Sequence, residues 1–126
     1  MTNRIRVFLA VEAAAFFLAA SVHAGLTLHG FEHQKACIAE TVIGVVLAAG
    51  LLFSLLAGRA TRVVGVTVQA FALLGTLVGV FTIVIGIGPR TIPDYLFHAG
   101  ILIVLGVGLR IAVTSSGQPP SSQKTA

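Results

Sequence analysis

The sequence has few charged residues, few aromatic residues and almost no cysteine. Of its 126 residues, 10% are charged and 7% are aromatic; there is no tryptophan, and Cys37 is the single cysteine. One cysteine excludes an intrachain disulfide and any zinc or iron–sulfur site built from several thiolates. An ordinary soluble domain carries roughly a quarter charged residues. This chain therefore has too few charged side chains to form the polar surface of a soluble domain.

Hydrophobic residues are abundant instead. They make up 56% of the chain, and the mean hydropathy is +1.02. The formal charge of +4 is basic, but the basic residues stand singly between apolar runs and form no patch with interleaved aromatic residues. This pattern does not fit a nucleic-acid-binding surface. We interpret the basic residues as a signal of membrane topology.

Four apolar stretches are long enough to cross a bilayer, which takes roughly 20 residues of helix. They cover residues 7–28, 36–57, 63–88 and 92–113. Their short connections favour antiparallel neighbours. The sequence therefore predicts an all-α, up-down-up-down four-helix bundle in the cell membrane, forming one domain over residues 1–113. Residues 114–126, rich in Ser, Pro and Gln, are predicted to be a disordered polar tail.

The basic residues are distributed unevenly between the two sides of such a bundle. Six lie before the first stretch, between the second and third, or at and beyond the end of the fourth: Arg4, Arg6, Arg59, Arg62, Arg110 and Lys124. Only Lys35 and Arg90 fall in the other two connections. The positive-inside rule then places both termini in the cytoplasm.

The first stretch also has features of a cleaved secretory signal peptide. Arg4 and Arg6 would be its basic region, and Val22, His23 and Ala24 would be a small-x-small cleavage site. Glu12 inside the apolar core argues against this alternative, and the apolar run continues to Leu28.

Small residues indicate how the helices pack. Within lipid, helices associate by close approach at small side chains, and Gly75 and Gly79 form a GxxxG pair in the third stretch. This pair predicts either packing within the chain or the seam of a homodimer.

Ionisable residues concentrate toward the side opposite the basic clusters. All four histidines and three of the four acids fall there: His23, His29, Glu32, His33, Glu40, Asp94 and His98. At about 100° per residue, Glu12 and His23 share one face of the first helix. If the second helix begins near Phe31, His33 and Glu40 share a face as well, and Asp94 and His98 are i, i+4 neighbours.

Imidazole and carboxylate groups on facing helices are typical metal ligands. We therefore expect an outer-leaflet site for a transition-metal ion or a b-type haem, serving redox chemistry, electron transfer or metal handling. The predicted ligands are His23, Glu40 and His98, with His33 and Asp94 as second choices. Simpler interpretations exist. Asp94 is also placed to form a capping box with Thr91, and a solvated loop is the simpler interpretation of His29, Glu32 and His33.

Glu12 lies too deep toward the cytoplasmic side to join this site. It is either a protonatable carboxylate on a route toward His23 or a neutral acid hydrogen-bonded to Gln69. Polar groups in the membrane cost roughly 2.5–3.5 kcal/mol each on insertion scales, so they usually face a partner or a function.

Two further functions compete with the metal or haem site. In one, the chain is a proton- or cation-coupled transporter of a small molecule, in which Glu12 and Glu40 exchange a proton for the substrate and a homodimer forms through the face of Gly75 and Gly79. In the other, it is an accessory subunit of a larger membrane complex. The lipid bilayer is the one partner common to all three hypotheses.

Overall fold

The computed structural model describes residues 1–115, and within them the fold is a four-helix bundle without strands. The helices are α1 (Thr2–His23), α2 (Gln34–Leu56), α3 (Thr61–Val84) and α4 (Ile92–Thr114), and a short 3-10 turn (Gly58–Ala60) precedes α3. All four helices are long and apolar enough to span a membrane. The predicted all-helical membrane bundle is confirmed; the predicted tail lies almost wholly outside the described residues.

The interior of the bundle is apolar, and its outer surface is apolar as well. Leu9, Leu47, Ala72 and Leu105, one from each helix, are fully buried at the centre. Large apolar side chains on all four helices point outward, among them Leu18, Leu52, Leu74 and Ile103. An apolar exterior on every helix is what a lipid environment requires.

Each helix packs against two neighbours, and only one of the two diagonal pairs of helices is also in close contact. Each helix contacts its neighbours, and α1 also contacts α3 across the bundle, whereas α2 and α4 make little contact. The start of α1, the end of α2, the start of α3 and the end of α4 meet at one end, where Arg6 donates to the Ser54 carbonyl and Arg62 to the Val113 carbonyl. This is the arginine-rich end that the positive-inside rule assigns to the cytoplasm.

Two helices end earlier than their apolar composition predicts. α1 stops at His23 rather than near residue 28, because Gly25 adopts a φ of +72° just after the helix. α3 stops at Val84 rather than near residue 88, and Gly86 has a φ of +86°. Glycine adopts this left-handed backbone without steric cost and ends the helix, although the residues beyond it are still apolar.

α2 begins three residues later than the position assumed in pairing His33 with Glu40 on one helix face. The helix starts at Gln34, and His33 is its N-cap, with its ring nitrogen Nδ1 accepting from the Ala36 N–H at 3.2 Å. The condition under which His33 and Glu40 would share a helix face, a start of α2 near Phe31, is therefore not met. α4 begins as predicted: Thr91 and Asp94 form a capping box, with the Thr91 N–H donating to Asp94 Oδ2 at 2.9 Å.

Candidate functional site

Three ionisable residues from three helices meet at the end of the bundle opposite the arginines. His23 Nδ1 lies 2.7 Å from Glu40 Oε2, and His23 Nε2 lies 2.9 Å from Asp94 Oδ1. Each of the three residues is only 5% exposed. We name His23, Glu40 and Asp94 the outer triad; it joins α1, α2 and α4 through one imidazole ring.

The two carboxylate oxygens of Asp94 make different hydrogen bonds. Oδ1 contacts His23, while Oδ2 accepts from the backbone N–H and the hydroxyl of Thr91. Hydrogen-bond donors to a carboxylate stabilise its charged form. The helix cap and the triad therefore support each other, and the capping-box interpretation of Asp94 is confirmed.

The other two predicted ligands lie close to the triad but make different contacts. The backbone N–H of His33 donates to the His23 carbonyl at 2.9 Å, and the two rings pack edge to face with centroids 6.3 Å apart. The Nδ1–H of His98 donates to the Asp94 backbone carbonyl at 2.8 Å. Neither ring shares in the hydrogen bonds of the triad.

This arrangement does not resemble a metal centre. Among residues 1–115, no group of three or more His, Cys, Asp or Glu side chains is placed to hold a metal ion. Both ring nitrogens of His23 face carboxylate oxygens, so neither presents a free lone pair to a metal or a haem iron. The metal or haem hypothesis stays a prediction from sequence.

A cavity of about 160 Å³ lies beside the triad and is lined by residues of all four helices. Its apolar walls come from Phe16, Ile43, Ile83, Ile87, Pro89 and Phe97, and its polar lining includes Glu40, Thr76, Thr82, His98, His33 and Lys35. Phe16 and Phe97 pack edge to face at 5.7 Å. Glu40 belongs to both features, because it contacts His23 and also lines the cavity.

A second polar contact lies deeper, toward the arginine-rich end. Gln69 Nε2 is 3.0 Å from Glu12 Oε1 and 3.1 Å from Oε2, and both residues are fully buried. We name Glu12 and Gln69 the inner pair. Gly108 leaves room for it, because a Cβ at that position would collide with the Gln69 amide and the Glu12 carboxyl.

The inner pair contains no basic group. Gln69 Oε1 is buried without a partner among the described residues. A half-turn of this amide would exchange Oε1 and Nε2, so that a protonated Glu12 could donate to Oε1. An ionised carboxylate facing only an amide would be costly at this depth, so the contact suits a neutral Glu12.

The GxxxG pair packs within the chain. A Cβ at Gly75 would lie 2.8 Å from Ile43 Cδ1 of α2, and one at Gly79 would lie 3.0 Å from His98 Nε2 of α4. The pair therefore lets α3 approach its neighbours and does not face outward as a dimer seam. Of the two alternatives for this pair, the structure favours packing within the chain.

Polar residues of the first loop lie at the surface. His29 and Glu32 are 89% and 52% exposed, with His29 Nδ1 and Glu32 Oε1 3.8 Å apart. The backbone N–H groups of Glu32 and Gly30 hold the pKa of the Glu32 carboxyl below its usual range. The solvated-loop interpretation fits these two residues, but not His33, which is half-buried against His23.

Sequence reasoning missed several residues that shape the site. Phe16, Thr82 and Phe97 line the cavity, and Gly108 accommodates the inner pair. A weak signal existed for Phe16, which follows Glu12 by four residues and so lies on the same helix face. The others depend on which helices become neighbours.

The fold and the site together define a polytopic helical membrane protein with a buried imidazole–carboxylate centre. No family model, curated protein or solved structure matches the chain.

Proposed function

We propose that the protein is a proton-coupled transporter that exchanges protons for a small cationic molecule across the cell membrane. The observation that carries this proposal is that Glu40 belongs both to the outer triad and to the lining of the cavity. Its carboxylate contacts His23 at 2.7 Å and also lines the cavity. A group that takes part in a proton network and reaches a ligand space can couple the two.

The charge of the outer triad supports an exchange of one cation for one proton. Both nitrogens of His23 face carboxylate oxygens, so each contact needs a hydrogen. Either the ring is an imidazolium between two carboxylates, or it is a neutral imidazole beside one protonated carboxyl. Both forms carry a net charge of −1.

A net charge buried in a membrane protein is costly unless it is neutralised. One further proton on Glu40 would neutralise the triad, and so would one cation held in the cavity. The two neutral states exclude each other, because both use the Glu40 carboxylate. Entry of the cation therefore releases a proton, and return of a proton releases the cation.

The inner pair supplies a second protonatable group on the same path. Glu12 and His23 lie on one buried face of α1, eleven residues apart, which is about 16 Å along a helix. Phe16 and Ala20 occupy the buried face between them. In this proposal Glu12 holds a proton on the cytoplasmic side of that apolar segment.

The cavity is formed within one chain, so the proposal does not require a homodimer. The metal or haem function has less support, because both nitrogens of His23 are engaged by carboxylates. The accessory-subunit function is favoured by no particular contact within residues 1–115.

Transport in reconstituted liposomes tests the proposal. Radiolabelled benzylguanidinium is a suitable probe, because its guanidinium group stays charged and does not cross lipid as a neutral amine, and its ring suits the apolar walls of the cavity. With an acidic lumen, protons leaving the liposome should drive uptake of the probe, and collapse of the pH gradient should stop it. Glu40→Gln should reduce uptake to the level of protein-free liposomes.

Glu32→Gln is the matched control, since it makes the same chemical change in the exposed loop. It should transport as the unchanged protein does. Equal uptake by the Glu40→Gln variant and the unchanged protein, or uptake that ignores the pH gradient, would contradict the proposal.

A further inference from the structure

We infer that the cavity binds a protonated amine whose apolar body is about the size of one six-membered ring. This inference rests on the proposed function and names the substrate class of the same site. It is derived from the cavity's size and from the hydrogen-bonding character of each polar atom that lines it.

The size and the walls fit a single ring. A protein cavity of about 150 Å³ holds one benzene molecule, and this cavity measures about 160 Å³. Phe16 and Phe97 contribute aromatic faces, and Ile43 and Ile83 contribute aliphatic ones. Such walls stabilise an apolar body and offer nothing to a strongly hydrated ion.

The two threonines of the cavity can only accept. The Thr76 hydroxyl donates to the Ala72 carbonyl at 2.8 Å, and the Thr82 hydroxyl donates to the Gly79 carbonyl at 2.7 Å. A hydroxyl has one hydrogen, so each oxygen is left with acceptor lone pairs alone. Toward a ligand, both side chains therefore act as hydrogen-bond acceptors.

His98 is an acceptor for the same reason. Its Nδ1 carries the hydrogen that bonds the Asp94 backbone carbonyl at 2.8 Å. In a neutral imidazole the other nitrogen, Nε2, is then an acceptor. Nε2 lies beside Gly79, where the missing side chain leaves space next to it.

Glu40 adds a carboxylate to these acceptors, and one of its oxygens is already engaged by His23. The hydrogen-bond donors among the lining residues lie toward the outer loop. Lys35 is exposed, and His33 caps α2 through Nδ1, so its hydrogen is on Nε2. The deep part of the cavity thus offers acceptors, and a primary ammonium group, with three N–H donors and no lone pair, complements it.

Binding of benzylamine to the purified full chain in detergent tests this inference. Isothermal titration calorimetry should give one saturable site per chain, at least about tenfold tighter for benzylamine than for benzyl alcohol, because a charge-assisted hydrogen bond is stronger than a neutral one. Equal affinity for the two compounds, no saturable binding, or tighter binding of benzoate at Lys35 and His33 would each overturn the inference.

Variants locate the site. Glu40→Gln should remove the preference for the amine while benzyl alcohol still binds, which also shows that the cavity is intact. Thr76→Val should weaken benzylamine binding about three- to tenfold, the effect of one hydrogen bond. Thr67→Val is its control, because Thr67 lies on the exposed side of α3 and bonds its own helix in the same way. Equal effects of the two threonine variants would contradict the assignment.

The binding and transport experiments fail separately. Benzylamine binding without proton-driven uptake of benzylguanidinium would overturn the transporter proposal and leave the ligand class standing. Proton-driven uptake without benzylamine binding would overturn the ligand class alone.

Discussion

The outer triad and the inner pair each include one residue of the buried face of α1, His23 and Glu12. They differ in the group that accompanies the buried acid. The outer triad places an imidazole between two carboxylates at 2.7 and 2.9 Å. The inner pair places one carboxyl against an amide at 3.0 Å, with no basic group. The first arrangement can hold a charge because it contains a base; the second suits a neutral acid.

Because of this difference, the outer triad and the inner pair should respond to different kinds of substitution. Breaking a buried ion pair by removing one partner leaves an uncompensated charge, which costs much more than losing a neutral hydrogen bond. We therefore expect the outer triad to be sensitive to any change of charge. The inner pair should be sensitive to changes of shape instead.

The largest expected effect is that of His23→Leu. The substitution leaves Glu40 and Asp94 without their shared partner, and we expect a loss of about 3–5 kcal/mol in the free energy of unfolding. Chemical denaturation in detergent, followed by circular dichroism, measures it. Glu40→Gln should reduce the free energy of unfolding by less, because its amide can still bond His23. A larger loss for Glu40→Gln than for His23→Leu would contradict the central role of His23 in the triad.

An intermediate effect is expected for Gly108→Ala. The new methyl group would collide with the Gln69 amide and the Glu12 carboxyl, and overpacking of this kind typically costs about 1–3 kcal/mol. Gly106→Ala on the same helix is the control, because its Cβ would meet nothing within 4 Å. Unfolding experiments on the two variants should separate them, and equal stabilities would mean that the inner pair tolerates displacement.

The smallest effect on stability under acidic conditions is expected for Glu12→Gln. At about pH 4, where a glutamate of the unfolded chain is also largely protonated, an amide in its place can still donate to and accept from Gln69, so the free energy of unfolding should change by less than about 1 kcal/mol. As the pH rises to neutral, Glu12 loses its proton in the unfolded chain but keeps it in the folded one, so the unchanged protein should lose about 1.4 kcal/mol of unfolding free energy per pH unit relative to the variant. A difference between variant and unchanged protein that does not vary with pH would show that Glu12 is ionised in the folded state.

Much of the fold could be predicted because a segment that crosses lipid must be both apolar and helical along its length. Four apolar stretches of sufficient length imply four helices, and the helical repeat correctly put Glu12 and His23 on one face. The helix ends were less predictable. Leu26 and Leu28 look like membrane residues by composition, but the backbone conformation of Gly25 ends α1 before them.

The site could be predicted only in part. The sequence indicated that His23, Glu40 and Asp94 lie at similar depth, and the structure brings these three together. It did not indicate that His23 would use both nitrogens on carboxylates, or that His98 would turn to a backbone carbonyl. These outcomes depend on rotations of whole helices, which the periodicity of one helix does not fix.

The sequence by itself determined that the chain forms four membrane-spanning helices, because burying so much apolar surface in lipid outweighs any alternative, and it determined which residues lie near each end. Only the tertiary structure decided what those residues do. The packing of the four helices left a cavity beside Glu40, and the close approach of α1 to its neighbours joined His23 to two acids. Contacts between helices rest on side-chain fit over a few ångströms, and a linear pattern carries no such distances.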